Sequence, residues 1–299
     1  MSDTSHIVQS LAVNVAIAVA KGIAAAVTLS GAMLAEAIHS TADCANQVLL
    51  LIGVRAAARA PSAAHPLGHG RAAYFWSFLV ALLLFSIGGL FSIVEGVHKL
   101  LHPTPVDHPA VAFVVLGISA VLEAAAALSN LREMKARRGT TPLARWLRQT
   151  KDADLIVVFG ENAAAVVGLA LAIAALTAAG VTGDPRWDGA GSVGVGAVLV
   201  VVAALLAVET SSLLVGEAAD PRVEQAVRET LVAHPDLTAL YAVITVQQGP
   251  GEVLLALKVR VASHLSADQV AEAINAFERD VHARCPEVRW SFVEPDLDA

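Results

Sequence analysis

Long apolar stretches alternate with short polar ones over the first two thirds of the chain. Ser77 to Val94, Asn162 to Gly183 and Gly189 to Val208 contain no Asp, Glu, Lys or Arg. About 20 such residues are what a helix needs to cross a hydrocarbon core some 30 Å thick. Six segments of this kind are predicted, at 7–29, 31–57, 75–100, 109–133, 154–180 and 188–214. After Gly216 the pattern changes. "EAADPRVEQAVRETLVAHPDL" and "SADQVAEAINAFERDVHARC" mix charge with apolar residues at helical spacing. Between them "YAVITVQQGPGE" and "EVLLALKVRVA" read as two strands joined at a Gly-Pro-Gly turn, and "VRWSFVEP" as a third. Val253, Leu255, Leu257, Val259 and Val261 alternate along one face, and Ser266 with Gln269 forms a capping box for the second helix. The expected fold is an α-helical membrane protein with six transmembrane helices over 1–216. A soluble α-β-β-α-β, ferredoxin-like domain follows over 217–299.

Composition agrees with this pattern: 56% of the 299 residues are hydrophobic and 16% charged, which excludes an ordinary soluble enzyme or a nucleic-acid-binding chain. The start, "MSDTSHIVQS", has no basic region of a removable signal peptide. Cys44 and Cys285 differ in predicted depth and belong to no C-x-x-C pair, so no disulfide is expected. Arg55, Arg59 and Arg71 fall between segments two and three, and Arg132, Lys135, Arg137, Arg138, Arg145, Arg148 and Lys151 between four and five. The positive-inside rule puts both loops, and with six crossings both termini, in the cytoplasm, and a bacterial plasma membrane is expected.

Three ionisable residues interrupt the second segment in "AEAIHSTADC": Glu36, His39 and Asp43. Insertion scales charge about 2.5–3.5 kcal/mol for an acidic residue at a helix centre, so such residues need a partner, water or a use. His39 and Asp43 are one turn apart on the same face, and Glu36 lies one turn before His39. An imidazole and a carboxylate so stacked both reach one divalent cation, chemistry suited to zinc, or form a hydrogen-bonded polar seam. In the fifth segment Asp154 and Glu161 share a face, with Asn162 adjacent, and Glu161 is deep enough to join His39 and Asp43. Asn14, Lys21, Glu95 and Glu123 are weaker candidates, Lys21 as the neutraliser of a carboxylate and Glu95 as a residue reaching the interface. The loop "SAAHPLGHGRAAYFW" adds His65 and His69, either a second, surface metal site or a solvated turn.

With "AEAIHSTAD" in the second segment, "HPLGHGRAAYFWS" leading into the third and a small α+β domain at the end, the chain resembles the cation diffusion facilitator family of divalent metal transporters. "YFWSFLVALLLFSIGGLFSIVEG", "FGENAAAVVG" and "SSLLVGEAADP" look like the branch that contains zinc transporter nine. The resemblance implies export of a divalent cation from the cytoplasm in exchange for protons, by alternating access, in a homodimer held by the C-terminal domain. It assigns His39 and Asp43 to the transport site. Many members place a second His/Asp pair on the fifth span, where this chain has Val158 and Asn162. The implied ligand set is therefore His39, Asp43, Glu161 and Asn162, with zinc as cargo and manganese, iron or cobalt left open. His65 and His69 match loop ligands of some members, while Ser62 stands where those have an acidic ligand. "WSFVEPD" leaves the C-terminal domain short of metal ligands, and no cofactor is implied.

Two other classes compete. An intramembrane metal-dependent enzyme would need a second cluster, and the chain has no H-E-x-x-H or G-x-S-x-G. A non-transporting metal sensor or scaffold is favoured only by the missing fifth-span pair.

Overall fold

The computed structural model describes the backbone of residues 2–297, and the side chains of all of these except 2–10, 12, 13, 85, 144, 148, 149, 153 and 154. It begins with two long helices, α1 (Ser2–Thr28) and α2 (Gly31–Ala57). Next come α3 (Ala72–Leu83), a π-helical turn at Leu84–Leu90 and α4 (Phe91–Leu101), which run on as one helix of 30 residues. The π turn contains Gly88 and Gly89, where a helix ladder is easily widened. Then follow α5 (Pro109–Arg138), the short α6 (Leu143–Gln149), α7 (Ala153–Thr182) and α8 (Arg186–Val215). Ala72–Leu101, Pro109–Arg138, Leu155–Thr182 and Arg186–Val215 are each long and apolar enough to cross a membrane. Among the described residues of α1 the apolar run is Asn14–Thr28, and α2 loses hydropathy to Glu36, His39, Asp43, Asn46 and Gln47.

The chain forms two compact units, the first from Met1–Gly53, Trp76–Leu143 and Asp154–Thr210. Within it α4 and α8 touch backbone to backbone. A Cβ placed on Gly96 would lie 2.6 Å from the Val193 nitrogen, and one on Gly196 would lie 2.7 Å from the Gly89 carbonyl oxygen. Gly89 and Gly96 thus face Gly196 and Gly189 on an antiparallel neighbour. This is close packing of small residues, used where lipid offers no hydrophobic drive to associate. At the joint of α1 and α2, Leu29 takes a left-handed conformation (φ 53°). Asp188 holds this joint: its buried carboxylate accepts from Ser30 Oγ at 2.5 Å, the Gly31 amide at 2.6 Å and Lys99 Nζ at 3.0 Å. Lys99 also donates to the Leu29 carbonyl. The carboxylate caps α2 from a distant part of the chain, satisfying amides that have no partner within the helix.

The second unit joins Ser211–Ala299 to two earlier stretches, Val54–Phe75 and Ala144–Ala153. Its core is a mixed sheet in the order β1 (Leu237–Gly249), β2 (Glu252–Val261), β3 (Val288–Pro295), with β1 antiparallel and β3 parallel to β2. Helices α9 (Pro221–Val232) and α10 (Ala267–Arg284) cover one face. Val223 and Val227 of α9 and Phe277 and Val281 of α10 pack with Val253, Leu255, Leu257 and Val259. The alternation read from the sequence is therefore the buried face of β2. Ser266 and Gln269 make the capping box, and Asp220 caps α9. The other sheet face carries the rows Ile244–Ala256–Phe292 and Val246–Leu254–Trp290, with Ile244 58% and Phe292 57% exposed. Cys44 and Cys285 are free.

Both early stretches are tied into this unit. A Cβ on Gly70 would lie 2.4 Å from Glu252 Oε2 and 2.7 Å from the Gln248 oxygen, so the loop backbone rests on the β1–β2 turn. Lys151 Nζ pairs with Glu217, and Glu217 also accepts from Ser212 Oγ. Burial pushes the Glu217 carboxyl up, but the hydrogen bonds from Lys151 and Ser212 outweigh it and hold the group below its ordinary 4.5.

Candidate metal centre

The face of α2 at 36, 39/40, 43 and 46/47 is polar over almost three turns, which no apolar helix tolerates without partners. Its first turn is neutralised. Lys21 of α1 is fully buried and donates to Glu36 Oε2 at 3.1 Å and Ser40 Oγ at 2.8 Å. Glu36 therefore serves a buried ion pair through Oε2, while its Oε1 is buried without a hydrogen-bond partner.

Higher on the same face the partners run out. His39 is 1% exposed, and neither of its ring nitrogens has a hydrogen-bond partner. Asp43 Oδ1 is likewise buried and unpartnered. His39 Nδ1 and Asp43 Oδ1 lie 3.6 Å apart, too long for a hydrogen bond. Two ligands at opposite corners of a tetrahedral zinc, each about 2.0–2.1 Å from the ion, are separated by roughly 3.4 Å.

Glu161 of α7 comes to this face through Asn46, which donates to Glu161 Oε1 at 2.6 Å. Glu161 is 9% exposed and lies within electrostatic reach of Asp43 and of Glu123 on α5. Glu123 in turn acts on Lys21, His39 and Asp43. Four helices, α1, α2, α5 and α7, thus bring ionisable groups to one region. Among the described residues, no three His, Cys, Asp or Glu side chains converge closely enough to hold an ion. Asn162 is half-buried one residue beyond Glu161, about 100° round the helix from it. The Asp154 side chain lies outside the described residues.

Asn46 was not singled out from the sequence. The signal was present: it continues the 36–39–43 series by one more turn, but an amide carries no charge to draw the eye. The loop histidines do come together in the second unit, ring centroids 4.3 Å apart. The His65 backbone amide donates to Ser62 Oγ at 3.2 Å, and the ring Nδ1 of His69 is buried without a partner.

Residues 7–215 match the model of the cation efflux transmembrane domain. The chain belongs to this family, the cation diffusion facilitators, whose members move cations and are not enzymes. It is 31% identical over 274 residues to the mitochondrial proton-coupled zinc antiporter SLC30A9 of Xenopus laevis, covering 91% of this chain and 48% of that protein. With the protein of the same name from Mus musculus it shares 33% over 229 residues, 76% of this chain and 40% of that one. With metal tolerance protein C4 of Arabidopsis thaliana it shares 35% over 225 residues, 74% and 49% respectively. The chain spans about half the length of the curated relatives it matches. These relatives overturn one expectation. An integral membrane protein stands, but the bacterial plasma membrane does not, since the animal relatives are named as mitochondrial and another comes from a plant. Basic loops report which side of a bilayer they occupy, not which bilayer it is.

Proposed function

We propose that the chain carries a divalent cation, zinc foremost, across a bilayer in exchange for protons. Cargo is held by His39 and Asp43 of α2 and Glu161 of α7, with Asn46 aligning Glu161. One observation carries this reading: His39 and Asp43 present buried, unpartnered ligand atoms at the spacing of two ligands on one ion. Leaving such atoms unsatisfied costs roughly 1–3 kcal/mol each, which a bound cation offsets. The relatives' names, a proton-coupled zinc antiporter and a metal tolerance protein, support the same cargo and exchange.

The chemistry follows from the ligand types. Imidazole and carboxylate bind metal only when deprotonated, so a proton arriving at His39, Asp43 or Glu161 expels the cation and a cation expels the proton. Asp43 and Glu161 supply the charge that offsets desolvation of a dication. His39 supplies the softer nitrogen that favours zinc over magnesium or calcium, and with a single imidazole the set also admits manganese, iron or cobalt. Asn162 is a reserve oxygen, brought to the site only by a turn of α7 of about 100°. His65 and His69 form a weaker second station beside Ser62. The six long helices all cross the bilayer, α2 at the expense of its polar face. Residues 217–299 form a ferredoxin-like domain on the side of the basic loops. It holds two copies together through the open sheet face, where Ile244 and Phe292 need cover. Alternating access of the bundle moves the cation out of the compartment that holds the basic loops.

The test is zinc entry into sealed proteoliposomes containing the full chain, with manganese and cobalt in parallel. Zinc flux that rises with an opposing proton gradient is expected. Zinc bound but not moved would leave a sensor instead.

A further inference from the structure

At the end of the bundle where α1 meets α2, the first unit has an open cavity of about 480 Å³, at whose mouth His98 and His102 are exposed. Its wall includes Glu95, His98 and His102 from α4 and the turn that ends it, facing Leu29, Ser30 and Leu34. Glu95, His98 and His102 stand three and four residues apart, so they occupy one helix face. The two imidazoles stack at a centroid distance of 5.0 Å, tilted by 32°. The His102 amide still bonds to the His98 carbonyl at 2.8 Å, so the helical turn that pairs the rings is intact although His102 is the cap residue.

We propose that Glu95, His98 and His102 form a further divalent-cation site, a station in the cavity at the α1–α2 and α4–α5 end of the bundle. Two imidazoles one turn apart chelate a single zinc, copper or nickel ion, and the carboxylate a turn earlier supplies charge and a third ligand by a rotamer change. Lys99 also lines the cavity, and an ammonium there would repel a cation. Its Nζ is instead bound to Asp188 at 3.0 Å and to the Leu29 carbonyl, which takes that charge out of play. Leu34 lines the cavity too, and His39 lies five residues further along α2, about 7.5 Å up its axis. The site thus sits beside the route between the buried ligands and this end of the bundle. Its use as a place where cargo pauses on leaving rests on the transport reading above; its affinity for metal does not.

The experiment is carbethoxylation of histidines in the full-length protein in lipid nanodiscs, read residue by residue by mass spectrometry while zinc is titrated. Binding at ten times Kd slows modification of His98 and His102 about tenfold, because only the unoccupied fraction reacts. The same protection is expected in Asp43→Ala, whose buried site is disabled, and Glu95→Gln should need several-fold more zinc. His264, exposed in the other unit, is the internal control. Rates at His98 and His102 that stay unchanged up to the zinc concentration at which His264 also slows would overturn the site, as would protection that disappears in Asp43→Ala. Zinc flux without this protection sinks the station alone, and protection without flux sustains it while sinking the transport reading.

Discussion

Asn46 decides whether Glu161 can belong to the metal centre at all, because its amide holds that carboxylate on the α2 face. Groups that orient ligands typically change metal affinity about 10–100-fold when removed. Asn46→Ala should therefore weaken zinc binding by about that factor without unfolding the protein, as read by zinc titration in detergent. Unchanged affinity would mean that Glu161 is placed by something else. Lys21 acts differently. It is buried with Glu36, and removing one partner of such a pair costs about 3–5 kcal/mol because the other charge is left unpaired. Lys21→Met should lower the thermal midpoint sharply, and the double change Lys21→Met with Glu36→Gln should restore most of it. A double variant as unstable as the single one would show that the lysine matters for something other than this pair. Charged candidates were legible in the sequence because an ionisable residue in an apolar run is conspicuous. Asn46 and the trans-acting cap Asp188 were not, since their roles depend on contacts 115 and 157 residues away.

Between elements, glycine sets the closest approach. Gly96 and Gly196 leave no room for a Cβ against the facing backbone, and backbone, unlike a side-chain tip, cannot step aside. Gly196→Val should separate α4 from α8 and cost at least about 1–3 kcal/mol, whereas Gly180→Ala, with open space around it, should be neutral. Thermal unfolding in a fixed detergent compares the two, and equal stabilities would contradict the backbone contact. Helix positions themselves were readable: 154–180 and 188–214 were expected, and Ala153–Thr182 and Arg186–Val215 are observed. Apolar periodicity encodes a helix directly. It does not encode what a loop docks on, and for that reason the stretch with His65 and His69 read as either a surface metal site or a solvated turn, with no sign that its Gly70 lies against the β1–β2 turn. Glu217 offers a pH test of the same unit. A carboxylate held below its ordinary value binds a proton less readily folded than unfolded. The Lys151–Glu217–Ser212 tie therefore stabilises fully above 4.5 and is lost as pH falls through the lowered value. Glu217→Gln should be less stable than the parent at neutral pH, and the difference should shrink on acidification below 4.5. A gap that widens on acidification would reverse the sign.

For the whole molecule, the open sheet face is the feature most in need of a partner. Ile244 and Phe292 lie in one row across three strands, and an apolar patch rimmed by Lys258, Glu294 and Asp296 is what a subunit contact looks like. Ile244→Asp with Phe292→Asp should shift the protein from dimer to monomer, by mass measurement in detergent, with the core of the domain intact. An unaltered dimer would place the contact elsewhere. The central claim is that cargo is held between α2 and α7. It is tested most directly by zinc-driven proton movement in proteoliposomes, with Asp43→Ala and Glu161→Gln at matched protein levels. Loss of more than about tenfold in rate is expected in both, equivalent to about 1.4 kcal/mol or more in the barrier to transport. A wild-type rate in Glu161→Gln would remove α7 from the site and contradict the claim.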